Sequence, residues 1–193
     1  MADGKIKRVE RKARPQAPGI PLSRDQEAMI RVDHAGEYGA VRIYEGQLAV
    51  LGARKGSEQA VRDIREMAAQ EEHHLKTFDR LVNERRVRPT ALEPVWRVAG
   101  FALGAATALL GEKAAMACTA AVEEVIDEHY AGQIARIEDD PELKETVERF
   151  RADEIAHKEH ALASGAEEAP AYPLLSGAIK AGCRLAIKLS EKI

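Results

Sequence analysis

The sequence predicts an all-α protein, two antiparallel helical hairpins joined by an apolar crossover helix and closed by an amphipathic C-terminal helix. Three observations predict it. Aromatics make up only 4 % of a chain that is 45 % hydrophobic, and long stretches carry neither Pro nor Gly, the residues that interrupt helices. Apolar residues recur at the three-and-four spacing of a helix face. A Glu-x-x-His occurs twice, at Glu71 with His74 and at Glu154 with His157, eighty-three positions apart. On a helix each copy aims one carboxylate and one imidazole at the same point.

Length and composition set the frame. The 193 residues suit one domain with a sizeable core, expected over 23–193. Residues 1–22 read as a basic, flexible arm, with Lys5, Lys7, Arg8, Arg11, Lys12 and Arg14 ahead of Pro15, Pro18 and Pro21. It is either a solvated tail or a contact for anionic lipid. Asp3, Glu10 and the lack of an apolar core argue against a secretory signal there. A formal charge of -3 gives no global attraction to nucleic acid, and two distant cysteines, Cys118 and Cys183, point to a reducing compartment.

The first helix is expected from the capping box Ser23-Arg24-Asp25-Gln26 to about Leu51, with Ile30, Val41, Tyr44, Leu48 and Leu51 on its apolar stripe. Glu37 lies in that stripe, where a carboxylate needs an arginine or a metal. Gly52 to Gly56 form a turn, and Ser57 caps a second helix running to about Arg86 with Val61, Ile64, Met67, Ala68, Leu75, Phe78 and Val82 inward. Glu71 and His74 share that face, whereas Glu72 and His73 point to solvent. In antiparallel helices, residues equidistant from the turn lie level. The midpoint of 37 and 71 is residue 54, inside the turn, so Glu37 faces Glu71.

Thr90-Ala91-Leu92-Glu93 reads as another capping box, opening the crossover. Its stretch from Val98 to Leu110 is thirteen uncharged residues, short of the roughly twenty that span a bilayer. With Trp96 at its edge it is expected to dip partly into a membrane surface. A fourth helix runs from about Glu112 to Glu138, with Glu123 in phase with Met116, Ala120, Ile126, Tyr130, Ile134 and Ile137. Asp140 and Pro141 start the fifth, which carries Leu143, Val147 and Phe150 into Glu154 and His157. The midpoint of 123 and 154 again falls in the turn. A last helix, about Leu174 to Ile193, sets Lys180, Arg184 and Lys188 against Leu175, Ile179, Ala186 and Leu189, and either lies on a membrane or docks on the bundle.

Glu37, Glu71, His74, Glu123, Glu154 and His157 therefore converge. One Glu from each of two helices and a Glu-x-x-His from each of two others is the ligand set of carboxylate-bridged di-iron and di-manganese proteins. Four buried anions call for two divalent cations, and iron or manganese accepts so many carboxylates more readily than zinc. The chemistry implied is redox, with dioxygen as co-substrate. A purely structural bundle would alternate the signs of its buried charges.

The run Arg31-Val32-Asp33-His34-Ala35-Gly36-Glu37-Tyr38-Gly39-Ala40, the segment Gly100-Phe101-Ala102-Leu103-Gly104, and Glu123-Glu124 followed by His129-Tyr130 resemble the demethoxyubiquinone hydroxylases, ferritin-like di-iron monooxygenases of ubiquinone biosynthesis. The resemblance runs from about Met29 onwards. It implies a ferritin-like four-helix bundle in which Glu37, Glu71 and His74 serve one iron, Glu123, Glu154 and His157 the other, and Glu71 and Glu154 bridge. Tyr130 and His129 become candidates for orienting a ligand or supplying a proton, with packed core residues as the alternative. The implied substrate is a polyprenyl demethoxy-quinol, hydroxylated on its ring by dioxygen. The implied setting is the cytoplasmic face of a bacterial inner membrane or the matrix face of a mitochondrial one. Electrons would come from a reductase or a nicotinamide, and an apolar crossover helix favours a homodimer or a lipid-binding partner protein. The rival readings are a ferritin-like iron store or peroxidase, and a di-iron hydroxylase of another substrate such as modified tRNA.

Overall fold

The computed structural model describes residues 22–193. The basic arm expected at the N-terminus therefore lies, but for Leu22, outside the described residues. Six α-helices follow one another: α1 (Arg24–Leu51), α2 (Glu58–Arg85), α3 (Glu93–Leu109), α4 (Glu112–Ile134), α5 (Pro141–Ala163) and α6 (Tyr172–Ser190), with a short 3-10 turn at Ala166–Glu168. No strand occurs among the described residues. The hairpins α1–α2 and α4–α5 form the four-helix bundle, α3 crosses against α1, and α6 packs mainly on α4.

Local chemistry explains most boundaries. Ser23 and Gln26 form the capping box reciprocally, each side chain meeting the other's backbone N–H. Asp140 accepts from the Leu143 N–H, and Pro141 stands in the first turn of α5. Three expectations need correction. Ser57 occupies the N-cap of α2, but its hydroxyl makes no cap bond, and Glu58 instead accepts from the Gly56 N–H. Thr90 caps nothing at Glu93, because its hydroxyl accepts from the Leu92 N–H two residues on and α3 starts later, with a proline in its first turn. The helix α4 stops at Ile134 rather than Glu138, although Ile137 is still buried in the loop beyond it.

Two apolar clusters fill the bundle lengthwise. One gathers Tyr44, Leu51, Ile64, Met67 and Met116 with the small residues Ala114, Ala115, Ala117 and Ala120. The other gathers Met29, Ile30, Phe78, Leu81, Tyr130, Leu143 and Phe150. Against α1, α3 lies unusually close: a Cβ on Gly104 would sit 1.9 Å from the Ile43 carbonyl oxygen, and one on Gly46 2.2 Å from that of Phe101. The same crossing leaves Val95, Val98, Phe101, Leu109 and Leu110 exposed. Along the edge of α6, Lys180 pairs with Glu124 at 2.6 Å and the exposed Arg184 with Glu128 at 2.9 Å, both on α4, while Lys188 is exposed. The last helix thus docks on the bundle through Leu175, Ile179 and Cys183, with the ion pairs along its edge, and presents Leu174 and Leu185 outward.

Candidate metal centre

Each hairpin brings its pair of glutamates level, as the turn positions require. Glu37, Glu71, His74, Glu123, Glu154 and His157 are all buried at one height. They form two overlapping donor sets, Glu37 with Glu71, His74 and Glu154, and Glu71 with Glu123, Glu154 and His157. Within each set one donor atom per residue lies within 4.8 Å of the others. Glu71 and Glu154 belong to both. Glu72 and His73 are exposed, and Glu124 is committed to Lys180.

The imidazoles meet the carboxylates through Nδ1. His74 Nδ1 lies 3.2 Å from Glu154 Oε1 and 3.5 Å from Glu37 Oε2, and His157 Nδ1 lies 3.0 Å from Glu71 Oε1. Glu71 Oε1, both carboxylate oxygens of Glu154 and Nδ1 of both histidines make no well-aligned hydrogen bond and face only one another. A buried polar atom left so costs about 1–3 kcal/mol. Five of them aimed at one point, in a set of oxygen and imidazole donors, fit a metal site.

The electrostatics agree. Burial pushes Glu37 and Glu123 well above the usual carboxylate range, with the charges of Glu71 and Glu154 adding to it. Burial acts on Glu71 in the same sense, but the His157 and His74 imidazoles outweigh it and hold that carboxyl at about 2. His157, which burial would lower, is lifted to about 9 by Glu154 and Glu71, and His74 is raised by Glu154, Glu37 and Glu71. Without cations the cluster holds itself together with protons.

Around the cluster stand residues that spacing alone did not single out. Tyr44 donates to Glu123 at 3.0 Å, and Tyr130 donates to Glu37. Each tyrosine is seven residues beyond the glutamate of its own helix and holds the glutamate of the other. Burial and the neighbouring carboxylates push both phenols well above their ordinary range, so both remain donors. His74 and His157 are held from behind: His74 Nε2 reaches Asp153 Oδ2 at 3.1 Å, and His157 Nε2 reaches the Gln70 amide oxygen. Their only sequence signal was position, immediately before Glu154 and Glu71. His129 turns to the buried Asp33, 3.3 Å away, and the Gln133 amide donates to Asp33 at 2.6 Å and to His129 at 2.8 Å.

A cleft leads to this centre. It is about 550 Å³, bounded by α1, α3, α4 and α6, and lined by small and apolar residues that include Gly36, Ala40, Gly100, Leu103, Ile179 and Ile187. At its inner end a cavity of about 20 Å³, room for one water-sized molecule, is bordered by Asp33, Glu37, His129 and Tyr130. Val32, Gly36, Ala40, Ile126 and Ile187 line both. Trp96 stands in the wall and donates from its indole N–H to Ser190 at 3.0 Å, joining α3 to α6.

Residues 24–190 match the family model described as ubiquinone biosynthesis protein COQ7. The 3-demethoxyubiquinol 3-hydroxylase of Rhodospirillum rubrum is 61 % identical over 165 residues, covering 85 % of this chain and 76 % of that protein. The human mitochondrial NADPH-dependent 3-demethoxyubiquinone 3-hydroxylase is 54 % identical over 170 residues, 86 % of this chain and 76 % of that one. The mitochondrial 5-demethoxyubiquinone hydroxylase of Saccharomyces cerevisiae is 40 % identical over 181 residues, covering 86 % and 77 %.

Proposed function

This chain belongs to the COQ7 family, that of the demethoxyubiquinone hydroxylases, and on that premise we propose that it hydroxylates the ring of a polyprenyl demethoxy-benzoquinol in ubiquinone biosynthesis. It is an enzyme of the hydroxylase type. The observation that carries the reading is the cleft: a wall of small and apolar residues ends at a buried carboxylate–imidazole cluster. An iron store or peroxidase has no use for such a passage.

We propose that Glu37, Glu71 and His74 hold one iron and Glu123, Glu154 and His157 the second, with Glu71 and Glu154 shared. When bound, iron supplies the activation of dioxygen, one oxygen atom entering the ring as hydroxyl and the other leaving as water. The chain's own residues do the rest. Tyr44 and Tyr130 fix the two unshared carboxylates by donating to them. The apolar clusters at both ends of the bundle keep bulk water from the centre. Small side chains in the cleft leave room for a flat ring, and His129 and Asp33, both held by Gln133, offer polar partners to its oxygens at the inner end. The isoprenoid tail then leaves between α3 and α6.

Such a substrate stays in a bilayer, and the exposed Val95, Val98, Phe101 and Leu109 of α3, Leu110 at its end, and Leu174 and Leu185 of α6 suit a membrane surface. No helix among the described residues is long and apolar enough to cross one. We place the protein as peripheral, on the cytoplasmic face of a bacterial inner membrane or its mitochondrial matrix counterpart. The human relative's name includes NADPH dependence, which favours a nicotinamide as electron source over a separate reductase.

The test is metal analysis of protein from iron-replete cells beside Glu154→Ala, followed by anaerobic reduction and admission of air with a demethoxyquinol. About two irons per chain, lost in the variant, with hydroxylated quinol as product, is the expected result. Iron without product would leave the centre and refute the substrate.

A further inference from the structure

The two halves of the centre repeat one plan. Glu37 and Tyr44 on α1 correspond to Glu123 and Tyr130 on α4, and Gln70, Glu71 and His74 on α2 to Asp153, Glu154 and His157 on α5. Four supporting contacts cross between halves: Tyr44 to Glu123, Tyr130 to Glu37, Asp153 to His74 and Gln70 to His157. The unshared carboxylates are treated alike, each accepting from a tyrosine. The imidazoles are not. His74 leans on a carboxylate and His157 on a neutral amide.

That difference reaches the donor atom. In both histidines Nδ1 faces the glutamates, so with a metal on Nδ1 the N–H sits on Nε2, towards Asp153 and Gln70. A carboxylate behind an imidazole raises its basicity and strengthens its bond to a metal on the far nitrogen, whereas an amide oxygen orients the ring with less electronic effect. The ring of Phe150 also stacks on His74, centroids 3.9 Å apart, which further fixes that imidazole.

We propose that Asp153 and Gln70 are positioning residues that make the two metal positions unequal, so that the position of Glu37 and His74 binds more tightly and fills first. This rests on the two-metal reading above. Inequality then has a structural origin in one pair of residues, the only pair among these cross-contacts whose chemistry differs between the halves.

The test is an anaerobic titration of the metal-free full chain with Co(II), followed by visible absorption and calorimetry, on the native protein, Asp153→Asn and Gln70→Glu. The native protein is expected to bind in two resolved steps. Asp153→Asn should weaken the first step about 10- to 100-fold, drawing it towards the second, and leave the second in place. Gln70→Glu should strengthen the second step by a comparable factor and leave the first in place. A tightened step is an effect that structural damage does not produce. If Asp153→Asn leaves the first step intact and weakens only the second, the positions are equal and the steps reflect repulsion between cations, which overturns the proposal. Equal movement of both steps in either variant overturns it as well. If the native protein binds no Co(II), the two-metal reading falls together with the proposal, and two equal steps insensitive to both variants sink the proposal alone.

Discussion

Glu37 and Glu123 are carboxyls in surroundings that resist their ionisation, because burial removes water and Glu71 and Glu154 stand near. In the metal-free fold they keep protons that the unfolded chain releases above about pH 4.3. Their folded-state pKa values are raised, so the metal-free protein loses stability as pH rises through them. His157, lifted to about 9, acts in the same direction: its contribution is complete below about 6.5 and lost as pH climbs past the lifted value. Glu71, held near 2, works oppositely and costs stability only as the solution turns strongly acid. Metal displaces these protons, so loading should release protons to buffer, and the gap in melting temperature between loaded and metal-free protein should widen from about pH 6 to about pH 8. Calorimetry in two buffers of different ionisation enthalpy reads the release, and heats independent of buffer would contradict it. All six cluster residues were legible in the sequence, since Glu-x-x-His fixes two on a face and the turn positions place a partner glutamate level with each. Tyr44 reads in sequence as one more apolar stripe residue, and Gln70 and Asp153 fall outside the apolar stripes. Their roles depend on which residues of different hairpins meet, and spacing along one chain does not contain that.

Helices α1 and α3 meet through backbone rather than side chains. At Gly104 an added methyl group would enter the Ile43 carbonyl oxygen, and backbone cannot step aside as a flexible side chain can. Gly104→Ala should therefore destabilise by about 1–3 kcal/mol, although alanine is by itself the better helix former by about 1 kcal/mol. At Gly132, with nothing within 4 Å, the same change should stabilise by about 0.4–1 kcal/mol. Urea unfolding of the pair checks both signs, and a Gly104→Ala midpoint at or above the native one would mean the crossing is looser than described. The existence and order of the six long helices were readable from periodicity and Pro–Gly punctuation. Their ends were less so: Ile137 keeps the apolar rhythm of α4 after the helix has stopped, because a buried loop residue and a helical one look alike in sequence. Whether α6 docks was likewise open until Leu175 and Ile179 proved to pack on the bundle and Lys180 and Arg184 to pair with Glu124 and Glu128.

For the whole molecule, membrane attachment should be mainly apolar. Lys180 and Arg184 are spent on α4, whereas Val98, Leu109 and Leu174 stand free in solvent at 69 %, 71 % and 76 % exposure. Sedimentation with lipid vesicles should survive roughly 0.5 M salt, where surface charges are screened within a few ångströms. It should fall several-fold in Val98→Asp with Leu109→Asp, with metal content unchanged. Loss of binding in salt, with no effect of the two substitutions, would shift the contact to a charged surface. Bound metal should also raise the melting temperature of the entire bundle rather than of one hairpin, since all four bundle helices contribute donors, and chelation should lower it by an amount that grows with the metal concentration removed. The chain carries one tryptophan, and it is the residue that bridges α3 and α6 in the wall of the cleft. The protein thus has its own optical reporter at the doorway. Quinone rings quench indole emission at short range, so intrinsic fluorescence alone should follow a head group passing inward, without any label and without waiting for turnover.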